Sequence, residues 1–358
     1  MRVAAVTSRV EDFGLTRPYT IAFETTESVR NVVVRIETDD GLAGWGAASP
    51  APHVTGETLD ACAAALAPEN VLWLVGRDVR GLPAICRELN RRATGVPAAR
   101  AALDMALHDL LAQHLGVPLV EMLGRAHREL PTSITIGIKG VGETLAEAEE
   151  YVGRGFRILK VKTGLSLEED VERLRRLREK YPAAAVRIRA DANQGYTVEQ
   201  TLQFFRETER LGLEFLEQPV PAASVETLRG LPEPVRARLA ADESLLCPRD
   251  ALRLALPPRA VGIFNIKLMK CGGVFPAVRI ATVAELAGID LMWGCMDESV
   301  ISIAAALHAA LSCAATRYLD LDGSLDLARD VAAGGFVIAE GMMRTTDAPG
   351  LGVRAWEP

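Results

Sequence analysis

The sequence predicts an α/β protein: a closed barrel of eight parallel strands preceded by a smaller α+β domain. From Leu130 onward, short β-rich runs recur with their C-terminal ends roughly 25 residues apart and helical segments between them, which is the rhythm of an α/β barrel. Before that point strand-like runs come first and helical runs follow, the order expected of a separate unit. The expected boundaries are 1–125 for the first domain, 126–330 for the barrel and 331–358 for a terminal segment that returns to the first domain.

In the first domain, Val3 to Val10, Val29 to Thr38 and Leu42 to Ala48 read as a small antiparallel sheet, with Asp39-Asp40-Gly41 as the turn between the last two. Helical patterns follow at Glu57 to Leu66, Leu82 to Arg92 and Pro97 to Leu115, the last opening on proline and closing at Gly116. Asp104, His108 and Asp109 on that helix read as a capping or packing group. The barrel strands are expected at Ser133 to Ile138, Phe156 to Lys162, Ala185 to Asp191, Glu214 to Glu217, Leu239 to Asp242, Gly262 to Lys267, Ile289 to Gly294 and Arg317 to Asp320. Helices such as Leu167 to Lys180 and Thr197 to Leu211 connect them. After Asp330 the chain is too short and too rich in turn residues to add another barrel unit.

Composition narrows the class of function. Apolar residues make up 49% and charged residues 24% of the 358, an ordinary balance for a globular enzyme. The net charge of −7 and the lack of a basic stripe leave nucleic-acid binding without an electrostatic footprint. No apolar run approaches the roughly 20 residues that span a bilayer. Six scattered cysteines, with no C-x-x-C pair and no leader-like start, point to reduced thiols in the cytoplasm.

Chemistry in such a barrel sits at the C-terminal ends of the strands, so the residues there are the ones to weigh. Strand two ends in Lys160 and Lys162, two lysines on one face of an apolar strand, where a charge needs a partner or a shifted pKa. Strands three, four and five end in Asp191, Glu217 and Asp242, hard oxygen ligands from neighbouring strands that suit Mg²⁺. Strand six ends in Lys267, almost opposite Lys162 around the circle, so one lysine can face each side of a substrate carbon. Whichever acts as base is expected to have its pKa lowered by Mg²⁺ and by cationic neighbours such as Lys160. Strand eight ends in Asp320 with Asp322, two carboxylates that attract a cation. Glu243, next to Asp242, is expected to point away along the strand.

The order K-V-K, D-A-N-Q-G-Y, E-Q-P, D-E-S and N-I-K-L-M-K-C-G-G resembles the enolase superfamily in its muconate-lactonizing subgroup, over essentially the whole chain. The pairing of a lysine base with Mg²⁺ is an established property of that superfamily and not a reading of these residues. The resemblance implies a (β/α)7β modified TIM barrel with an N-terminal capping domain. It implies Asp191, Glu217 and Asp242 as Mg²⁺ ligands, Lys162 and Lys267 as the acid/base pair, and Lys160 as partner of the substrate carboxylate. Asp320-Leu321-Asp322 is similar to the motif by which dipeptide epimerases hold a free α-ammonium, so a small-molecule dipeptide is the expected partner, within a homo-oligomer. A loop at Leu15 to Glu24 is implied as the substrate-selecting lid. Epimerases of the Ala-Glu type carry a basic residue near its end. Glu24 here, with Asp297 and Glu298 after strand seven, favours a cationic or neutral dipeptide instead, although Glu24 is also placed to pair with Arg17 or Arg30, and Asp297 to cap the helix that follows. The rival readings are o-succinylbenzoate synthase and muconate cycloisomerase of the same subgroup, neither of which needs the cation clamp.

Overall fold

The computed structural model describes residues 1–17, 19–20, 25–26 and 28–355. Strands Val3–Asp12, Arg30–Thr38 and Ala43–Ala48 form an antiparallel sheet in that order. Helix Pro97–Leu115 lies against it, buried over most of its surface. Close approach explains two glycines in the third strand: a Cβ on Gly46 would lie 1.8 Å from the Ala102 carbonyl oxygen, and one on Gly44 2.3 Å from that of Ala106. After a one-turn helix at Pro52–Thr55, the first of the expected helices is Leu59–Ala65, starting later than the expected Glu57 and capped by Thr58. Glu57 has another use, accepting hydrogen bonds from the Ala98 and Ala99 N–H groups at 2.6 and 3.1 Å and so capping helix Pro97–Leu115.

The barrel strands are Ile134–Ile136, Ile158–Lys162, Arg187–Asp191, Leu216–Glu217, Leu239–Ala241, Ile263–Ile266, Asp290–Gly294 and Thr316–Asp320. All eight pair in parallel in chain order. A parallel bridge from Thr132 to Leu319 and a bond from the Ser133 N–H to the Leu319 carbonyl at 3.1 Å bring the first and last strands together. Their runs of buried Ile, Leu, Val, Ala and Phe are what strands covered on both faces require. Beneath the strand ends the floor is filled by Arg189, whose Nε bonds Glu214 at 2.7 Å and whose Nη1 bonds the Leu319 carbonyl at 2.7 Å and Ser133 Oγ at 3.1 Å. The Phe215 and Tyr318 rings flank its guanidinium at 5.4 and 5.0 Å.

The terminal segment adds no barrel unit. Strand Phe336–Ala339 pairs with Met342–Thr345, which pairs with Leu130–Pro131 at the barrel entrance, and Ala332–Gly334 pairs with Val353–Ala355. The segment also reaches the cap: the Leu351 N–H bonds Asp109 at 2.8 Å and the Leu119 N–H bonds the Gly350 carbonyl at 2.8 Å. His308, on barrel helix Val300–Ser312, joins all three parts. Its Nδ1 accepts from the Val120 N–H at 3.0 Å, and its Nε2 lies 3.3 Å from the Leu351 carbonyl. Asp104 caps another barrel helix, taking the Val274 N–H at 2.6 Å, while His108 sits on the same carboxylate at 3.1 Å. Cys86 completes a buried cluster with them, but the Asp104 oxygen is already spent on the helix end.

Candidate active site

Strand register brings the charged strand ends to one level. Lys162 is paired with Asp191, and Asp191 with Glu217, across strands two, three and four. Strand two is buried along its length, and both its lysines point inward as the alternation requires: Lys160 is 2% exposed and Lys162 9%. The Lys160 ammonium donates to Asp320 Oδ2 at 2.7 Å and lies 2.9 Å from Glu217 Oε2 and 3.1 Å from Asp191 Oδ2. Lys162 donates to Asp191 Oδ2 at 2.8 Å and to Asn193 Oδ1 at 2.9 Å. Asp242 follows strand five and is 2.8 Å from the Lys267 ammonium, which enters from the end of strand six.

Several residues that the sequence did not single out complete this arrangement. Lys270 turns back from the short helix Leu268–Cys271 to bond Asp242 Oδ1, the Asp242 carbonyl at 2.7 Å and the Asn265 carbonyl at 3.0 Å. Asn265 holds Glu217 Oε1 at 2.6 Å. Gln218 Oε1 accepts from the Asp242 and Ser244 N–H groups at 2.9 and 3.2 Å, fixing the turn that carries Asp242. The signals were present, as K-x-x-K and as a polar residue inside an apolar strand, but each reads locally as surface or as a strand defect.

Burial and mutual charge set the proton affinities. Burial would lower the Lys160 pKa, but Asp320, Glu217 and Asp191 override it and hold the ammonium well above its ordinary range. Lys267 behaves alike: against the effect of burial, Asp242 raises it. Buried carboxylates face each of these ammonium groups and favour their charged forms. Glu217 is pushed up to about 8, first by burial and then by the Asp191 charge. Asp191 is drawn down to about 2, with burial overcome by Lys162 and Lys160.

Three buried carboxylates that repel one another fit a hard divalent cation. Glu217 Oε2 supplies a further sign, being buried and accepting no hydrogen bond although the Lys160 ammonium lies alongside. The donor set of Asp191, Glu217 and Asp242 therefore suits Mg²⁺.

The remaining predicted residues divide. Asp320 Oδ1 receives Ser133 Oγ at 2.6 Å and its Oδ2 faces Lys160, whereas Asp322 is half-buried and receives only the Thr135 N–H, at 2.7 Å, among the bonds seen. The two acids are not equivalent: burial and then Asp320 push Asp322 up to about 7. Asp297 lines the same cleft, and its carbonyl is held by Ser49 Oγ at 2.8 Å. It does not cap the next helix through a bond seen here. Asp330 does, bonding the Val300 N–H at 2.7 Å and Ser299 Oγ at 2.8 Å. Glu298 is buried and bonds the Met296 N–H at 2.7 Å, its pKa raised by burial to about 8. Glu243 does not point away: strand five ends at Ala241, so alternation no longer applies, and Glu243 lines the cleft with Oε1 on Asn193 Nδ2 at 3.1 Å. Glu24 lies outside the described residues.

The cleft over these groups has a volume of about 250 Å³ and runs from Lys267 and Glu243 to Asp322 and Asp326. At its rim Arg17 pairs with Glu150 at 3.0 Å and Glu147 at 3.3 Å. His53, on the one-turn helix Pro52–Thr55, also lines the cleft; its stretch reads from sequence as able to reach the mouth, but a lone histidine there is usually solvated.

An eight-stranded barrel with carboxylates ending strands three to five and lysines on strands two and six defines a class of metal-dependent enzymes that act on carbon acids. The chain belongs to the enolase superfamily: residues 143–357 match the family described as Enolase C-terminal domain-like, and residues 4–124 the Mandelate racemase / muconate lactonizing enzyme, N-terminal domain. It is 63% identical, over 99% of both chains, to a Methylococcus capsulatus protein named L-Lys-D/L-Arg epimerase. It is 35% identical to the Bacillus subtilis L-Ala-D/L-Glu epimerase, over 97% of this chain and 95% of that one. The crystal structure of the Methylococcus capsulatus dipeptide epimerase complexed with Mg and the dipeptide L-Arg-D-Lys superimposes with a TM-score of 0.98 at 62% identity, covering 99% of this chain and all of that one.

Proposed function

We infer that this chain is a Mg²⁺-dependent dipeptide epimerase acting on dipeptides with cationic side chains, by 1,1-proton transfer at the α-carbon of the C-terminal residue. The single observation that carries the reading is the entry of Lys162 and Lys267 into one cleft from opposite strands, with Asp191, Glu217 and Asp242 between them. Lys162 and Lys267 take the roles of base and acid, which exchange when the reaction reverses. One lysine accepts the α-proton as the C–H bond breaks, and the other delivers a proton to the opposite face. Lys160 lies against the substrate carboxylate and holds it by charge. Bound by the three acids, Mg²⁺ supplies Lewis-acid stabilisation of the negative charge that develops as the α-proton leaves.

Asp322, with Asp320 behind it, receives the free α-ammonium. Asp326 and Asp297 line the same cleft and give it the acidic walls a basic side chain requires. The relative named for lysine and arginine, and the dipeptide in its complex, support a cationic substrate. Six unpaired thiols support a reducing compartment, the cytoplasm, as the place of action. A homo-oligomer is also proposed: Leu252, Leu256 and Leu286 lie exposed on and beside two packed barrel helices, and sedimentation would show whether a second copy covers them.

Incubation of a library of L,L-dipeptides in D₂O with Mg²⁺ tests the activity. The expected outcome is a one-dalton mass gain confined mainly to dipeptides of lysine and arginine. A library with no mass gain anywhere sinks the epimerase reading, and a gain confined to acidic dipeptides sinks the cationic preference.

A further inference from the structure

We propose that Asn193 and Glu243 are positioning residues for Lys162, and that the relay they form makes the two faces of proton transfer unequal. The proposal rests on the epimerase reading. Lys162 Nζ donates to Asn193 Oδ1 at 2.9 Å, and Asn193 Nδ2 donates to Glu243 Oε1 at 3.1 Å. The chain of bonds crosses the barrel mouth from strand two, past the end of strand three, to the turn after strand five. Lys162 also touches Asp191 Oδ2, but that oxygen is shared with Lys160, whereas Asn193 Oδ1 serves Lys162 alone among the bonds seen.

Two observations separate this relay from ordinary packing. Asn193 reaches the site in a left-handed backbone conformation, φ 39°, which side-chain-bearing residues adopt at a cost and retain at functional sites. Glu243 is 5% exposed and its Oε2 has no hydrogen-bond partner, a burial that works against stability. What the carboxylate does by geometry is fix the Asn193 amide. A lysine ammonium only donates, so the carbonyl oxygen must face Lys162, which leaves the amino group to Glu243.

That orientation matters through a cycle of proton transfer. An amide oxygen accepts an N–H from a lysine ammonium and from a lysine amine alike, so Lys162 keeps its place in both states, with the amine lone pair free for the α-proton. Lys267 has no such partner among the described residues. Its ammonium faces the Asp242 carboxylate, which favours the charged form only. As the C–H bond breaks on the Lys162 side, an N–H bond forms there and the electron pair passes into the substrate carboxylate. On the far side an N–H bond of Lys267 breaks as the new C–H bond forms.

The test compares α-proton exchange in D₂O from the two epimers of one cationic dipeptide, separately, in the wild type and in Asn193→Ala, Glu243→Ala and Glu243→Gln. Exchange from the epimer whose α-proton faces Lys162 should fall about tenfold or more relative to exchange from the other in both alanine variants. Glu243→Gln keeps an acceptor for Asn193 and should retain more of the ratio than Glu243→Ala. Mg²⁺ affinity, read by calorimetry, should stay within about twofold of the wild type. Equal slowing from both epimers, an unchanged ratio, or lost Mg²⁺ binding in Asn193→Ala would each overturn the proposal. A wild-type protein with no exchange from either epimer would overturn the epimerase reading and this proposal with it.

Discussion

The mouth and the floor of the barrel both hold buried charge, and they hold it differently. At the floor, Arg189 is matched by Glu214, the Leu319 carbonyl, Ser133 and two aromatic rings, which leave only its Nη2 without a hydrogen bond. At the mouth, Glu217 Oε2 and Glu243 Oε2 are buried without hydrogen bonds, and Glu217 and Asp322 are pushed well above the ordinary carboxylate range. A charge whose partners are all protein groups stabilises the fold. Charges left mismatched in a cleft are matched by what binds there.

That contrast breaks if changes at the mouth and floor have the same effect. The largest effect is expected from Lys162→Ala and Lys267→Ala, each lowering epimerisation on the order of 10²–10⁴-fold while leaving exchange from one epimer, as NMR in D₂O would show. Their thermal midpoints should stay near that of the wild type. Arg189→Ala should do the reverse. Removing it breaks the buried ion pair with Glu214, takes a donor from the Leu319 carbonyl and Ser133, and should cost roughly 4 kcal/mol in denaturant unfolding.

His308 sharpens the comparison because it is a buried titratable group of the floor's kind, with both nitrogens engaged while neutral. Burial lowers its pKa from 6.5 to about 4. The folded state therefore disfavours the charged ring. The stability that the neutral ring preserves is fully present above pH 6.5 and is lost as pH falls through 4, on the order of 3 kcal/mol in all. Unfolding measured across that window should show the loss, and His308→Gln should flatten it. The smallest effect is expected at Asp326→Asn: about a tenfold rise in KM for dipeptides whose first residue is lysine or arginine, with little change when it is alanine. An equal rise for both would remove Asp326 from substrate selection.

The part of the site legible in the sequence was the part written as charge inside apolar strands: Lys160 and Lys162, Asp191, Glu217, Asp242 and Lys267. Strand alternation and the strand-end rule sufficed there. Reading failed where a side chain's direction depends on a turn or on a distant partner. Glu243 turned inward because strand five ends two residues before it, and Lys270 turned back because its helix is one turn long. Asp330 took the cap expected of Asp297 from a distance of 30 residues. The lysine pKa values depend on how many carboxylates converge, which no single strand records.

The terminal segment has a consequence for the order in which the protein is made. Asp109 and Leu119, in the first third of the chain, find their backbone partners at Leu351 and Gly350, 242 and 231 residues later. A ribosome releases those partners only after the whole barrel. The cap can build its sheet and helices early and dock on the barrel through Asp104, Ser49 and His308, but this further fastening waits for the segment that follows the barrel. A nascent chain stalled just after strand eight would therefore carry a finished barrel and a cap that lacks this last latch.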